Sequence, residues 1–297
     1  MDELFALRNL FYTGAYQQVI NEANSRSPLS ESANQERKVY LYRAYIAQKK
    51  YNIVISDVKD SDIIDLRAVK LLALYLQAKD KNDATKKEEI VKEVKDIVGE
   101  NSANQTVQIV SATIMVHEGL LEDALRILVR NNKNLENVAL IIQIYIQLDR
   151  LDLAKRELAS AKTWAEDATL AQLMEAWVGL KTGGDKYQEA YYIYEEIAQS
   201  PSSNTVKILN GQAIANIHLG RYPEAESLLL DALNKNNDDP DTLVNLIVVS
   251  GFLGKPEDVI NRYISQLKEV APTHMFLQDL DLKTSLFDRA AQRFEIA

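Results

Sequence analysis

A short pattern of residues recurs along the chain at a spacing close to 35 residues, and this period constrains the fold more than any other feature. The pattern is a turn-forming residue, a Tyr or Leu two positions later, a small apolar residue three positions after that, and a large apolar residue four positions further on. Its small residue falls at Val19, Val54, Ala124, Ala154, Ala190, Ala225 and Val259. A period of this length predicts a stack of helical hairpins that binds other proteins.

The positions around the small residue give the pattern a physical meaning. The turn-forming residues are Gly14, Lys49, Gly119, Asp149, Asp185, Gly220 and Gly254. They are expected to end the first helix of each hairpin, where a left-handed residue is needed. The small residue lets the two helices approach, and the large residue four positions on shares its face. These features predict an all-α, tetratricopeptide-like α-solenoid, a right-handed superhelix of helical hairpins.

The first helices of the hairpins are recognisable from their apolar spacing. They are predicted over Val39–Gln48, Leu66–Gln77, Gln105–Val116, Leu135–Leu148, Ala168–Leu180, Thr205–Leu219 and Pro240–Leu253. We therefore expect residues 1–297 to form one solenoid domain of about eight to nine repeats. Residues 273–297 are expected to supply closing helices, with charged residues on the outer face: Asp279, Asp281, Lys283, Asp288 and Arg289.

The interval between Val54 and Ala124 is twice the period, which predicts a degenerate repeat near residues 80–100. Its hinge should fall near Glu89. The segment is highly charged and has a single apolar edge formed by Ile90, Val91, Val94 and Ile97, so we expect an exposed amphipathic second helix. An extra inserted helix is the alternative interpretation.

Composition excludes several classes of function. The chain has no cysteine, which removes disulfides, thiol catalysis and cysteine metal sites and fits a reducing compartment. Its formal net charge of −9 argues against nucleic-acid binding and against direct docking on anionic lipid. The first residues do not resemble a signal peptide, and no apolar run is long enough to span a bilayer.

Signals for catalysis are weak. His117 and His218 occupy the same position of their respective repeats, which the repeat itself explains better than a metal site does. The stretch Gly183–Lys186 lacks the strand and the Gly-Lys-Ser/Thr ending of a phosphate loop, so it is interpreted as a turn. The sequence predicts no enzyme, no cofactor, no metal and no small-molecule substrate.

Polar residues on the first helices are the candidates for binding a partner in a concave groove. The candidates are Arg43, Gln143, Lys207, Asn210 and Asn245. Tetratricopeptide domains that bind chaperone tails use Lys and Asn at fixed positions of successive repeats. Those positions are mainly apolar in this chain, so a two-carboxylate clamp is not predicted.

Longer strings of residues resemble the epsilon subunit family of coatomer, the COPI vesicle coat. The match runs nearly from end to end and is weakest over residues 60–102. The strings that carry it are LDRLDLAKREL at 148–158, EDATLAQLMEAWVGLKTGGDKYQEAYYIYEE at 166–196, ILNGQAIANIHLGRYPEAESLLLDAL at 208–233, DTLVNLIVVSGFLGKP at 241–256, DELFALRNLFYTGAYQQVINEA at 2–23 and LYRAYIAQKKY at 41–51.

This resemblance implies a non-catalytic scaffold. Members of the family pair with the C-terminal domain of alpha-COP, curl around a protruding segment of it and so join the heptameric coatomer. The coat is recruited to Golgi membranes by an Arf-family GTPase and serves Golgi-to-ER retrieval and intra-Golgi transport. The resemblance thus implies a cytoplasmic location, peripheral on the cytosolic face of Golgi membranes and COPI vesicles, with membrane contact only through the coat.

Two other functions stay open on the sequence. One is a generic tetratricopeptide adaptor or co-chaperone that binds a peptide in its concave groove; the missing clamp residues speak against it. The other is an enzyme within a helical solenoid, which would require an activity that depends on His117 or His218.

Overall fold

The protein is entirely helical over the residues that its computed structural model describes, which are 3–25, 29–59, 61–131 and 133–294. They contain seventeen α-helices, two short 3₁₀ helices and no strand. The all-α prediction is therefore confirmed. The last three positions of the predicted closing segment, 295–297, and residue 60 of the weakest-matching stretch lie outside the described residues.

The chain divides into two compact units, and the division falls within one helix, between Ile193 and Tyr194. Unit 1 comprises residues 1–193 with 200–203, and unit 2 comprises residues 194–199 with 204–297. The helices that begin in unit 1 are α1 (Phe5–Thr13), α2 (Tyr16–Ala23), α3 (Glu31–Ala47), α4 (Tyr51–Asp57), α5 (Ile64–Asp80), α6 (Ala84–Glu100), α7 (Gln105–His117), α8 (Leu121–Leu128), α9 (Leu135–Gln147), α10 (Leu151–Ala165), α11 (Thr169–Thr182) and α12 (Lys186–Ala198). Whether the whole chain acts as one domain stays a prediction.

Unit 2 continues the same alternation of first and second helices. Its further helices are α13 (Val206–His218), α14 (Tyr222–Lys235), α15 (Pro240–Phe252), α16 (Glu257–Val270) and α17 (Met275–Ala291). Consecutive helices pack in pairs, α1 on α2 through α9 on α10 in unit 1 and α13 on α14 and α15 on α16 in unit 2. These pairs are the hairpins that the 35-residue period predicts.

One turn geometry recurs at seven hairpins. A residue with positive φ ends the first helix, and the next residue donates its backbone N–H to the carbonyl oxygen five positions earlier, as in the Schellman motif. The seven left-handed residues are Gly14, Lys49, Asn82, Gly119, Asp149, Gly220 and Gly254. Six of them were predicted from the sequence. The prediction is wrong at Asp185, because Gly183 (φ 83°) and Gly184 (φ 62°) carry the positive φ in that turn.

The seventh left-handed residue, Asn82 (φ 54°), belongs to the hairpin that the doubled interval conceals. It separates α5 from α6, which pack on each other as the two helices of a hairpin do. The hinge predicted near Glu89 is wrong, because Glu89 lies inside α6. That the segment is a degenerate repeat and not an inserted helix stays a prediction. Asp83 caps α6 by accepting a hydrogen bond from the backbone N–H of Lys86 at 3.1 Å. The buried edge of α6 consists of Ile90, Val94, Ile97 and Val98, close to the predicted set.

The small residue of the repeat pattern lies where the two helices of a hairpin meet. It is at most 1 % exposed at six of the seven positions, from Val19 to Ala225. Val259 is the exception and is half-buried. The buried side chains form three cores within unit 1 and one within unit 2.

Helix α17 differs from every other helix in what it exposes. Only Leu277 of its residues is buried, and every residue from Asp281 to Phe294 is exposed. The charged residues predicted for its outer face are exposed as expected. Large apolar side chains are exposed as well: Met275, Leu282, Leu286, Phe287 and, beyond the helix, Phe294. The outer face of the closing helix is therefore more apolar than the sequence predicted.

Candidate interaction site

The five residues predicted to bind a partner all lie on first helices of hairpins. Arg43 is on α3 and Gln143 is on α9 of unit 1, whereas Lys207, Asn210 and Asn245 are on α13 and α15 of unit 2. Among them, Asn210 and Asn245 are in direct contact. The role of all five in binding stays a prediction.

The candidates differ in the exposure of their side chains. Gln143 and Lys207 are exposed, and Arg43 is half-buried in an ion pair described below. Asn210 is only 7 % exposed, and its Nδ2 donates to Thr242 Oγ1 at 2.7 Å. Asn245 Nδ2 in turn donates to Asn210 Oδ1 at 2.9 Å. The amide of Asn210 is thus engaged in holding α13 to α15.

A cavity of about 650 Å³ lies within unit 1, at the ends of several helices. Its wall is built from α1, α3 and the first turns of α5, α7, α9 and α11, together with the last turn of α10. The stack of unit 1 closes on itself at this point, because α1 also packs against α11. Closure brings residues more than a hundred positions apart into one wall.

Arg43 and Glu136 form a buried ion pair in this wall. Arg43 Nη1 lies 2.9 Å from Glu136 Oε2, and the two side chains are 15 % and 12 % exposed. The hydroxyls of Tyr40 and Tyr12 donate to Glu136 Oε1 at 2.6 Å and 3.0 Å. The guanidinium of Arg43 also lies over the ring of Phe11, 4.5 Å from its centre. We call these five residues the Glu136 cluster; it ties α1 and α3 to α9.

The titration of the Glu136 cluster follows from its burial and its charges. Burial, reinforced by the charge of Glu136, raises the pKa of Tyr12 and of Tyr40 above the usual value, so both are proton donors. Burial alone would raise the pKa of Glu136 as well. The positive charge of Arg43 and the hydrogen bond from Tyr40 outweigh that effect, and the pKa of Glu136 lies below its usual value. The cluster is therefore a charged pair near neutral pH.

Two further charged groups of the wall are satisfied within the protein. Arg8 donates to Glu36 Oε1 through Nε at 2.9 Å and through Nη2 at 2.7 Å. Asp65 Oδ2 accepts hydrogen bonds from Gln35 Nε2 at 2.9 Å and from Asn104 Nδ2 at 3.3 Å. These contacts link the starts of α3, α5 and α7.

Two aromatic rings stand exposed at the same cavity. Phe5 of α1 is 57 % exposed, and Trp164 of α10 is 47 % exposed. They are 159 positions apart in sequence, yet both line the cavity. Exposed aromatic side chains at a concave site are typical anchors for a protein partner.

Two of the three histidines take part in packing and capping. The ring of His117 stacks on Tyr75 at 6.1 Å, and burial together with the charge of Lys79 lowers its pKa from 6.5 to about 4. His274 Nδ1 accepts the backbone N–H of Phe276 at the start of α17. Within the described part of the chain there is no cluster of three His, Cys, Asp or Glu side chains that could hold a metal ion. No helix among the described residues is long and apolar enough to cross a membrane.

The fold and the site define a helical-repeat protein of the tetratricopeptide class. A tetratricopeptide repeat protein from Parabacteroides merdae ATCC 43184 has a similar structure, with a TM-score of 0.58 and 13 % identity over 90 % of this chain and 97 % of that one. A chain of the APC/C hetero-tetramer Cut9–Hcn1 gives a TM-score of 0.63 at 14 % identity, over 93 % of this chain and 54 % of that one. At these identities the likeness concerns the fold alone.

The sequence comparisons identify the family. The family model described as coatomer epsilon subunit matches residues 1–295. Coatomer subunit epsilon-1 of Arabidopsis thaliana is 38 % identical over 99 % of this chain and 97 % of the relative, and coatomer subunit epsilon-1 of Oryza sativa subsp. japonica is 40 % identical over 98 % of both. Coatomer subunit epsilon of Dictyostelium discoideum is 36 % identical over 99 % of both. The chain belongs to the coatomer epsilon subunit family and is a component of the COPI coat, as the sequence strings indicated.

Proposed function

We propose that the protein is a non-catalytic scaffold subunit of coatomer that binds and stabilises the C-terminal domain of alpha-COP. The observation that carries this proposal is the cavity of unit 1, whose wall exposes two aromatic rings from opposite ends of the unit's sequence. A preformed concave site of this kind binds a protruding segment without a large ordering cost. Family membership supports the choice of partner.

The same proposal covers the cellular setting. The protein would act in the cytoplasm, on the cytosolic face of Golgi membranes and on COPI vesicles, in Golgi-to-ER retrieval and intra-Golgi transport. Its contact with the membrane is indirect, through the other subunits of the coat. Its net charge of −9 supports an indirect contact, because anionic lipid repels an acidic surface.

The five polar candidates contribute to this function in two ways. Gln143 and Lys207 are exposed and can contact the partner directly. Arg43, Asn210 and Asn245 are engaged inside the protein and act by fixing the first helices. We propose that the affinity depends more strongly on Phe5 and Trp164 than on any of these five.

The test is a binding measurement between the full-length protein and the isolated alpha-COP C-terminal domain, by isothermal titration calorimetry. The double variant Phe5→Ala, Trp164→Ala is expected to weaken binding at least about tenfold, since exposed aromatic anchors each contribute more than about 1 kcal/mol. The matched control is Tyr192→Ala, which removes a ring of unit 1 that is 58 % exposed and lies outside the cavity. Unchanged affinity in the double variant, or equal loss in the control, would exclude the cavity as the site. Absence of any binding by the wild-type protein would overturn the proposed partner.

A further inference from the structure

Most charged side chains of the cavity wall form ion pairs with one another. Arg43 is paired with Glu136, and Arg8 with Glu36. Asp65 is satisfied by the amides of Gln35 and Asn104. An ion that is already paired gains little from a second opposite charge, and breaking the buried pair to reach a ligand is costly. The two ion pairs are therefore poorly suited to recognise a charged ligand. The carboxylate of Asp65 is not neutralised, but both of its oxygens already accept hydrogen bonds from amides.

The groups of the wall that keep hydrogen-bonding capacity are carboxamides. The side chain of Asn9 makes no hydrogen bond within the described part of the chain, and it is half-buried in the wall. Gln105 is exposed, and its Oε1 accepts one hydrogen bond from Asn134 Nδ2 at 3.0 Å, which leaves its Nε2 to donate. A carboxamide offers a donor and an acceptor at once, as a peptide group does. Asn9 and Gln105 can thus pair with the main chain of a bound segment.

Two charged side chains of the wall lack a counter-charge among the described residues: Asp65, whose carboxylate accepts hydrogen bonds from two neutral amides, and Lys133. Lys133 is exposed at the start of α9 and makes no ion pair with any residue that the structure describes. An exposed charge of this kind contributes at most one weak, salt-screened contact. The recognition chemistry left to the cavity consists of two aromatic rings, neutral hydrogen-bonding groups, the amide-bound carboxylate of Asp65 and the single exposed cation Lys133.

We infer that the cavity binds an extended, largely uncharged polypeptide segment, recognised through its main chain by Asn9 and Gln105 and through an apolar side chain by Phe5 and Trp164. This inference rests on the proposed function, because it describes what kind of segment the partner presents. It separates this site from a clamp for acidic or basic peptides. Binding should accordingly depend little on salt.

The first test is the dissociation constant of the full-length protein and the alpha-COP C-terminal domain between about 50 and 500 mM NaCl. The constant is expected to change by no more than about fivefold, the effect of screening one exposed charge contact. Lys133→Ala should remove most of that residual dependence. A change of a hundredfold or more would overturn the inference while leaving the proposed partner intact.

The second test uses Asn9→Ala and Gln105→Ala, measured in the same way. Each is expected to weaken binding by about three- to tenfold through a lost hydrogen bond to the partner. The matched controls are Asn21→Ala and Gln18→Ala, exposed residues of α2 outside the cavity. Circular dichroism and the unfolding midpoint establish that all four variants are folded. Equal affinities for the four variants and the wild type would overturn the role of the carboxamides.

A third measurement does not depend on the identity of the partner. Selection of random peptides displayed on phage against the full-length protein is expected to enrich uncharged sequences with one large apolar residue, and the Phe5→Ala, Trp164→Ala variant should not retain them. Enrichment of strongly acidic or basic peptides, or of none, would overturn the inference. Failure of the alpha-COP domain to bind, with uncharged peptides still enriched, would refute the proposed partner alone.

Discussion

At the scale of single residues, Glu136 has the largest effect on the candidate site. Its carboxylate accepts hydrogen bonds from two tyrosines and pairs with Arg43, so three helices of unit 1 meet at one side chain. Removing one member of a buried ion pair leaves the other charged and unpaired. The sequence singled out Arg43, but as a residue that faces a partner.

Replacing Glu136 by Gln is expected to lower the free energy of unfolding by about 3 kcal/mol at pH 7, measured by urea denaturation. The matched control is Glu36→Gln, which breaks the half-exposed pair with Arg8 and should cost no more than about 1 kcal/mol. A loss at Glu136 no larger than that of the control would show that the cluster does not hold the wall together.

The same residue makes stability depend on pH. Its pKa in the folded protein lies below the usual 4.5, so its contribution is complete above pH 4.5 and is lost as the pH falls through the folded value. Arg43, Tyr12 and Tyr40, which face it, stay protonated over this range. The wild type should therefore lose more stability than Glu136→Gln when urea denaturation at pH 7 is repeated below pH 4. Parallel losses in the two proteins would contradict this assignment.

No pattern in the sequence points to Glu136. It lies 93 positions from Arg43 and 124 from Tyr12, and neither spacing belongs to the 35-residue period. The pairing arises from closure of the stack in unit 1, which local propensities do not reveal. Phe5 and Trp164 escaped prediction for the same reason.

At the scale of the helical elements, the hairpin turns follow one rule, and the sequence predicts most of its positions. A left-handed residue is needed after each first helix, and most of these residues are Gly. Lys49 and Asp149 were predicted although they are not Gly, and Asn82 alone was missed; Asn also tolerates a positive φ. The left-handed residue was wrongly predicted at Asp185, because the two glycines directly before it take the positive φ.

The requirement for a left-handed residue at each turn can be tested by substitutions to and from Gly. Lys49→Gly removes a side chain from a residue with φ of 58° and should raise the free energy of unfolding by about 1 kcal/mol. Gly119→Ala, at φ of 75° with open space around the added methyl, should lower it by about 1 kcal/mol. Gly99→Ala, within α6 and also in open space, should raise it slightly. Chemical denaturation of the three variants measures these signs, and a stabilising Gly119→Ala would refute the rule.

At the scale of the whole molecule, the 35-residue period and the composition predicted the class of helical-repeat protein. Longer strings of residues predicted the coatomer epsilon subunit family. A 35-residue period determines the hairpin because each hairpin buries its apolar faces only against its neighbours. The period could not foretell the division between Ile193 and Tyr194, since the pattern continues through it. Nor could it foretell how apolar the surface of α17 would be.

The acidic surface of the whole chain leads to a prediction about membranes. With a net charge of −9, the protein alone is expected not to float with vesicles that contain phosphatidylserine. It should float only when the remaining coatomer subunits and the Arf-family GTPase are added. Vesicles of phosphatidylcholine serve as the control for charge. Flotation of the isolated protein with the anionic vesicles would contradict an indirect contact.

The ion pair that closes unit 1 also sets a delay during protein synthesis. The ribosome adds about 5–20 residues per second, so the 93 positions from Arg43 to Glu136 take roughly 5–20 s to emerge. Throughout that interval the guanidinium and the two phenols of the first hairpins have no carboxylate, and the cavity has no far wall. During this interval the incomplete face is supported by the apolar core of the first helices and by the part of the next core that has already been synthesised. Ribosomes that stall between the codons for Arg43 and Glu136 would therefore carry a nascent chain whose cavity wall is incomplete and prone to aggregation.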